Sequence, residues 1–195
     1  LHTSHSAGRR LFLSVTLSLC AVAFLPLPFS AKAATGGEYI IISGGPALRK
    51  WENYRVEPDR HDRWWGNFVR AARLRMAQLR EENGEGLMLT WLVYKPGYER
   101  RAVEDGRPLL DFVRSVSNKY QARLVWVKSG SDVINYINRG RNRASTKISG
   151  LEYFGHSNKY CWVIDYSSYI IGASKAWIHE NDFTRISPGI FTADP

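Results

Sequence analysis

Two apolar segments separated by one amphipathic segment constrain the fold of this chain most strongly. Glu38–Ser43 and Leu87–Tyr94 are almost entirely apolar, which is typical of strands that are buried on both faces. Between them, from about Asp62 to Glu82, apolar residues recur at helical spacing and arginines occupy much of the other face. Strands buried on both faces need helices to cover them, so this order predicts a parallel sheet.

The alternation of strands and helices continues along the chain. Pro108 opens a second amphipathic helix, Arg123–Lys128 is a third strand, and a capped helix from Ser129 to Gly140 precedes a fourth strand, Ile148–Phe154. Such alternation predicts an α/β fold, a three-layer sandwich with a mostly parallel, doubly wound sheet and helices on both faces.

Three segments between or after these elements have weaker patterns. The Lys95-Pro96-Gly97 sequence is expected to stop the second strand. Tyr160–Tyr166 reads as extended but follows the fourth strand too closely for a crossover helix, so we expect it to be antiparallel or a hairpin arm. Ser174–Asp182 predicts one helical turn around Trp177.

Residues 1–33 have the organisation of an export signal. Arg9 and Arg10 precede an apolar run from Leu11 to Phe29, and Ala31-Lys32-Ala33 gives a cleavage pattern of small residues. The arginine pair also fits a twin-arginine signal. The alternative is a transmembrane anchor, but two prolines interrupt the apolar run. We therefore predict an exported, periplasmic or extracellular domain over residues 34–195 with no stable membrane span after cleavage.

Charge and cysteine content narrow the function classes. The chain has 27 basic and 18 acidic residues. Three of the basic residues and none of the acidic ones lie within residues 1–33, so residues 34–195 still carry a net positive charge. We interpret the arginines of the first helix as a solvated face and expect no nucleic-acid partner. Beyond residue 33 the single cysteine, Cys161, excludes an internal disulfide and a cysteine-rich metal site, and we expect neither metal nor cofactor.

The fourth strand ends abruptly at Gly155-His156-Ser157-Asn158. In open α/β sheets the functional sites lie at the carboxyl ends of the strands, and an imidazole suits proton transfer near neutral pH. His156 is therefore the candidate general base. The same turn fits the first three positions of a G-x-S-x-G nucleophile elbow, but Lys159 replaces the last glycine and the next segment reads as extended.

An apolar parallel strand that ends in Gly-His-Ser resembles the caspase–gingipain group of cysteine peptidases. In that group the nucleophilic cysteine follows the next parallel strand. The resemblance implies that His156 activates a thiol, that Gly155 lets the turn approach a peptide or protein substrate, and that the fold is caspase-like. The chain has one strand–helix unit more before this histidine than the smallest caspase core needs.

No cysteine follows a later parallel strand in this sequence. We expect the domain to be truncated at its carboxyl end and the nucleophile to follow a strand that starts just beyond Phe191. Cys161 is the alternative nucleophile or else a packed small residue, and Asp165 is a candidate to orient the imidazole. Ser157 and Asn158 are accessory candidates.

A second function class remains open from the sequence. The chain contains seven Trp and ten Tyr residues, many of them in loops. A non-catalytic exported module of the same fold would bind a protein or glycan through the aromatic loops around Trp51, Trp64, Trp65 and Tyr160–Trp162. The sequence leaves the oligomeric state and the substrate preference open.

Overall fold

The computed structural model describes residues 37–53, 56–60, 64–165 and 176–192. The export signal predicted for residues 1–33 lies outside the described residues, as do His61-Asp62, where the first long helix was expected to start. Among the described residues, every helix is too short or too polar to cross a membrane.

Four parallel strands form the central sheet. They are β1 (Glu38–Ser43), β2 (Met88–Tyr94), β3 (Arg123–Val127) and β4 (Ile148–Phe154), in the spatial order β3-β2-β1-β4. All three pairings are parallel. The α/β fold with a parallel sheet, predicted from the alternation of apolar and amphipathic segments, is confirmed.

Five α-helices accompany this sheet within the described residues. They are α1 (Arg49–Glu52), α2 (Asn67–Asn83), α3 (Lys95–Asp105), α4 (Leu109–Lys119) and α5 (Gly130–Arg139). Short 3-10 helices span Glu57–Asp59, Gly84–Gly86 and Glu180–Arg185.

Helices cover both faces of the sheet because successive strand residues point to opposite sides. Ile41 of β1 faces a core that contains Met76 of α2 and Val113 of α4. Ile40 and Ile42, on either side of Ile41 in the sequence, face the other core, against which α5 packs. The described residues thus form the helix–sheet–helix layering that the sequence predicts.

Helix α3 was not predicted. The Lys95-Pro96-Gly97 sequence begins a helix here instead of merely ending β2. Proline is well tolerated in the first turn because its missing N–H would have no intrahelical partner. Gly97 has a packing reason as well, since a Cβ there would lie 2.8 Å from the Cα of Gly45.

A second sheet follows β4. It contains β5 (His156–Asn158), β6 (Cys161–Val163) and β7 (Trp177–His179), paired antiparallel in that order. The antiparallel arrangement expected for the start of Tyr160–Tyr166 is confirmed. The helical turn expected around Trp177 is wrong, because these residues pair with β6 and the helical turns begin at Glu180.

A short segment near the end of the described residues pairs with β4 on the side away from β1. Phe191 forms a parallel bridge with Ile148. The amide of Ile148 donates to the carbonyl of Ile190 at 2.9 Å, and the amide of Thr192 donates to the carbonyl of Ile148 at 2.9 Å. Residues 190–192 therefore lie beside the first residue of β4, on the side opposite β1.

Candidate functional site

His156 lies at the carboxyl edge of the central sheet, two residues beyond the end of β4. The amide of Gly44, which follows β1, donates to the carbonyl of Phe154 at 2.9 Å. The chain progresses from β1 through β2 to β3 on one side of β1, while β4 lies on the other. His156 is thus placed at the point where the strand order reverses, which is where open α/β sheets bind ligands.

The start of α2 contacts the imidazole. The ring of Phe68 meets the ring of His156 edge-on, with centroids 5.1 Å apart and planes at 89°. The hydroxyl of Ser43 donates to the carbonyl of Phe68 at 3.5 Å and accepts from the indole N–H of Trp91 at 2.9 Å. The end of β1 and the first turn of α2 therefore support one side of the half-buried histidine.

Tyr153 fixes the backbone of the same turn. Its hydroxyl lies 2.9 Å from the carbonyl oxygen of His156 and 3.0 Å from that of Val163, and its ring stacks on Trp162 at 4.6 Å. Burial, and secondarily the nearby Cys161, raises the pKa of Tyr153, so the hydroxyl stays protonated and able to donate. A Cβ on Gly155 would lie 2.1 Å from this hydroxyl, which gives the glycine a packing reason.

The residues after His156 form a strand and a tight hairpin. Ser157 and Asn158 are exposed. The side-chain oxygen of Asn158 accepts from the amides of Tyr160 at 2.8 Å and Cys161 at 3.0 Å, which closes the turn between β5 and β6. Adjacent strand residues point to opposite faces, so Ser157 projects away from the face that carries His156. Asn158 shapes the hairpin.

Cys161 is buried in this hairpin. Its Sγ lies 3.4 Å from Oδ1 of Asn158, the residue it opposes, whereas His156 opposes Val163. The thiol and the imidazole therefore lie on neighbouring strands of the β5–β6 hairpin, but at diagonal and not at directly opposite positions. Burial raises the pKa of Cys161, and the contact with Asn158 only partly offsets this. A nucleophilic thiol needs exposure and a lowered pKa, so these observations favour a packing role.

Asp165 has other partners near the end of β2. Its buried carboxylate accepts from the hydroxyl of Tyr94 at 2.9 Å and forms an ion pair with Arg100 of α3 at 2.7 Å. Burial, and then the charge of Asp165, raises the pKa of Tyr94. Asp165 thus connects β2 and α3 to the segment after β6, because one of its oxygens accepts from Tyr94 and the other from Arg100.

The aromatic loops differ in what they offer to a ligand. Trp162 is packed between Tyr153 and Phe183, whereas Trp64 is 46% exposed and Tyr160 is 56% exposed. The side chain of Trp51 is not among those that the structure describes. Of the aromatic loops named above, those of Trp64 and Tyr160 are therefore the ones with a described side chain that is exposed to solvent.

One of the α2 arginines that the sequence analysis assigned to a solvated face is instead structural. On α2, Arg80 donates to the carbonyls of Tyr120, Leu87 and Gln121 at 2.8–3.0 Å, so the expectation of a fully solvated arginine face is wrong at this position. Its contacts hold the carboxyl end of α2 against the segments that precede β2 and β3.

The sequence also gave little indication of a buried ion network at the amino edge of the sheet. Glu38 is fully buried; its carboxylate accepts from Arg143 at 2.6 Å, from Arg141 at 2.9 Å and from the hydroxyl of Tyr136 at 2.8 Å, with Thr90 completing the set. The only signal was a glutamate at the first position of an otherwise apolar strand.

Among the described residues, no cluster of three or more His, Cys, Asp or Glu side chains is arranged to hold a metal ion. Comparisons of the chain with protein-family models, with curated proteins and with solved structures find no match.

Proposed function

We propose that this chain carries the general base of a cysteine-peptidase site of the caspase–gingipain type, acting on a peptide or protein substrate outside the cytoplasm. His156 is the base, and the nucleophilic cysteine follows the strand that begins at Phe191. The observation that carries the proposal is the parallel pairing of Phe191 with Ile148 on the free side of β4.

A strand that continued that pairing along β4 would lead to the carboxyl edge of the sheet. β4 has seven residues from Ile148 to Phe154. A parallel strand in register with Ile148 at Phe191 comes level with Phe154 after about six further residues, since both strands advance about 3.3 Å per residue. Neighbouring strands lie about 4.8 Å apart. A cysteine just past that point has its thiol within reach of His156 across the carboxyl edge.

The proposed chemistry uses the imidazole twice. His156 takes the proton from the thiol, and the thiolate attacks the scissile carbonyl carbon while backbone amides stabilise the oxyanion. The imidazolium then gives its proton to the leaving amine as the carbon–nitrogen bond breaks. A water molecule, deprotonated by the same imidazole, hydrolyses the thioester and regenerates the thiol.

The contacts of His156 fit this role. Phe68 covers one side of the ring, Tyr153 fixes the backbone of the turn, and the imidazole itself is half-buried at the sheet edge. A general base needs a fixed orientation and access to solvent, and this position combines both.

The test uses the complete protein, including the residues that follow Phe191. A thiol-reactive peptide probe, such as a peptidyl acyloxymethyl ketone, is expected to label the first cysteine after that segment. His156→Ala is expected to lower the labelling rate at least a hundredfold, in line with the loss of a general base. His179→Ala, a matched change in the second sheet, is expected to leave it unchanged.

Two results would contradict the proposal: a strand after Phe191 that ends without a cysteine, or equal labelling of the His156→Ala variant and the wild type. Either would favour the second candidate, a non-catalytic binding module of the same fold. The exposed ring of Trp64 favours that candidate, because tryptophan is enriched at interaction sites relative to the rest of protein surfaces.

A further inference from the structure

A groove on α2 lies apart from the His156 site. Phe68 and Arg75 lie on the flank of α2 that contacts His156 and Glu152 near β4. The groove lies on the other flank, where Trp65 packs against Phe112 of α4 with ring centroids 5.8 Å apart. It has a volume of about 420 Å³ and is lined by Trp64, Trp65, Gly66, Val69, Arg70 and Arg73. A cavity of this size is typical of small-ligand sites.

The groove has an aromatic wall. Trp64 is 46% exposed, and the buried ring of Trp65 lies next to it. The two indoles lie 6.2 Å apart and are inclined by 50°. Trp64 can present a face to one flat ring, but tilted indoles do not form the parallel platform on which successive nucleobases stack.

The groove is also strongly basic. Arg70 and Arg73 line it, and the guanidinium of Arg107 lies 5.9 Å from the ring of Trp65. Within the described part of the chain, no carboxylate pairs with any of these three arginines. Helix α2 has no acidic residue in its first turn, so the positive end of its dipole adds to this charge.

A buried donor in the wall lacks an acceptor. The indole N–H of Trp65, which is 8% exposed, has no hydrogen-bond partner among the described residues. An unsatisfied buried N–H costs about 1–3 kcal/mol and is uncommon in folded proteins. This N–H is shielded from solvent, so a ligand in the groove contacts Trp64 and the arginines and not this donor.

We propose that this groove binds a uronic-acid residue of an acidic polysaccharide. The apolar face of the sugar ring lies on Trp64, and its carboxylate is held between Arg70 and Arg73. Guanidinium groups match the two oxygens of a carboxylate in a bidentate way, and the wall has no lysine. This site does not depend on the proposed peptidase chemistry, because its lining does not include Phe68, the α2 residue that contacts His156.

The experiment titrates the full chain by isothermal calorimetry with galacturonic acid trisaccharide. Its neutral counterpart galactotriose and a short oligothymidylate are titrated in parallel. We expect measurable binding of the acidic trisaccharide, at least tenfold weaker binding of galactotriose, and weaker binding of the oligonucleotide. The double variant Arg70→Gln/Arg73→Gln is expected to lose at least tenfold in affinity, and so is Trp64→Ala.

The matched control is Arg139→Gln, which removes the charge of an exposed arginine on α5, across the sheet from α2. It is expected to bind like the wild type, and circular dichroism checks the fold of every variant. The proposal is overturned by equal affinity for the neutral trisaccharide, by tighter binding of the oligonucleotide, by no binding of the acidic trisaccharide, or by full affinity in the folded double variant.

Discussion

The hydroxyl of Tyr153 lies 2.9 Å from the carbonyl oxygen of His156, three residues along the chain, and 3.0 Å from that of Val163. One side chain at the end of β4 thereby ties the central sheet to the first two strands of the second sheet. The stacked ring of Trp162 keeps the phenol in place. The position of the candidate base depends on this contact.

Tyr153→Phe is therefore expected to lower the free energy of unfolding by about 1–2 kcal/mol, because a partly buried carbonyl loses its donor while the stacked ring remains. Urea denaturation followed by tryptophan fluorescence measures the change. Tyr160→Phe, at an exposed position in the same hairpin, is the control and is expected to change little. Equal stability of Tyr153→Phe and the wild type would show that the hydroxyl does not support the turn.

Glu38 and Arg143 give a prediction about acid stability. Burial opposes ionisation of Glu38, but hydrogen bonds from Thr90, Arg143, Tyr136 and Arg141 outweigh it and hold the pKa of Glu38 below its ordinary value of 4.5. A carboxylate whose pKa is lower in the folded protein than in the unfolded chain stabilises the folded state. This stabilisation is complete at pH values above the pKa of the unfolded chain. This contribution is lost as the pH falls from about 4.5 through the folded pKa.

Glu38→Gln is expected to cost roughly 3–5 kcal/mol at pH 7, because Arg143 is then buried without its carboxylate. The variant is also expected to lose less stability than the wild type as the pH falls below about 4.5. Chemical denaturation across pH 3–7 measures both effects. Glu81→Gln, at an exposed position on α2, is the control. A wild-type pH profile in Glu38→Gln would refute the network's role.

Gly97 and Gly45 bring the start of α3 against the segment after β1. A Cβ at Gly97 would lie 2.8 Å from a backbone atom of Gly45, and backbone cannot move aside as a flexible side chain can. Gly97→Ala is expected to destabilise the protein by about 1–3 kcal/mol through overpacking. Gly86→Ala, where a Cβ meets nothing within 4 Å, is the matched control. Thermal unfolding compares the two, and equal melting temperatures would contradict the close approach.

Cys161 is expected to react slowly with thiol reagents. Its side chain is buried, and burial raises its pKa, so little thiolate is present at neutral pH. In a Cys20→Ser background, iodoacetamide at pH 7.5 is expected to label the native protein at least roughly tenfold more slowly than the protein in guanidinium. Native labelling as fast as that of the unfolded chain would restore Cys161 as a candidate nucleophile.

Local patterns of the sequence determined the layers of this protein. The apolar runs of β1, β2 and β4 and the helical spacing of α2, α4 and α5 are encoded by neighbouring residues, because burial on both faces or on one face leaves a periodic signature. The placement of His156 directly after a parallel strand also follows from local order. Helices α1 and α3 and strands β5 and β7 escaped this reasoning. For example, Pro96 and Gly97 suggest a break, and Trp177 lies in a mixed pattern.

Tertiary structure alone decided the partners of the polar side chains. Asp165 pairs with Arg100 and Glu38 with Arg143, and neither pairing follows from spacing. It also decided that β4 lies beside β1 and that Phe191 lies on its other side. Such contacts join residues far apart in the chain, so they depend on how whole layers pack and not on the periodicity of any segment.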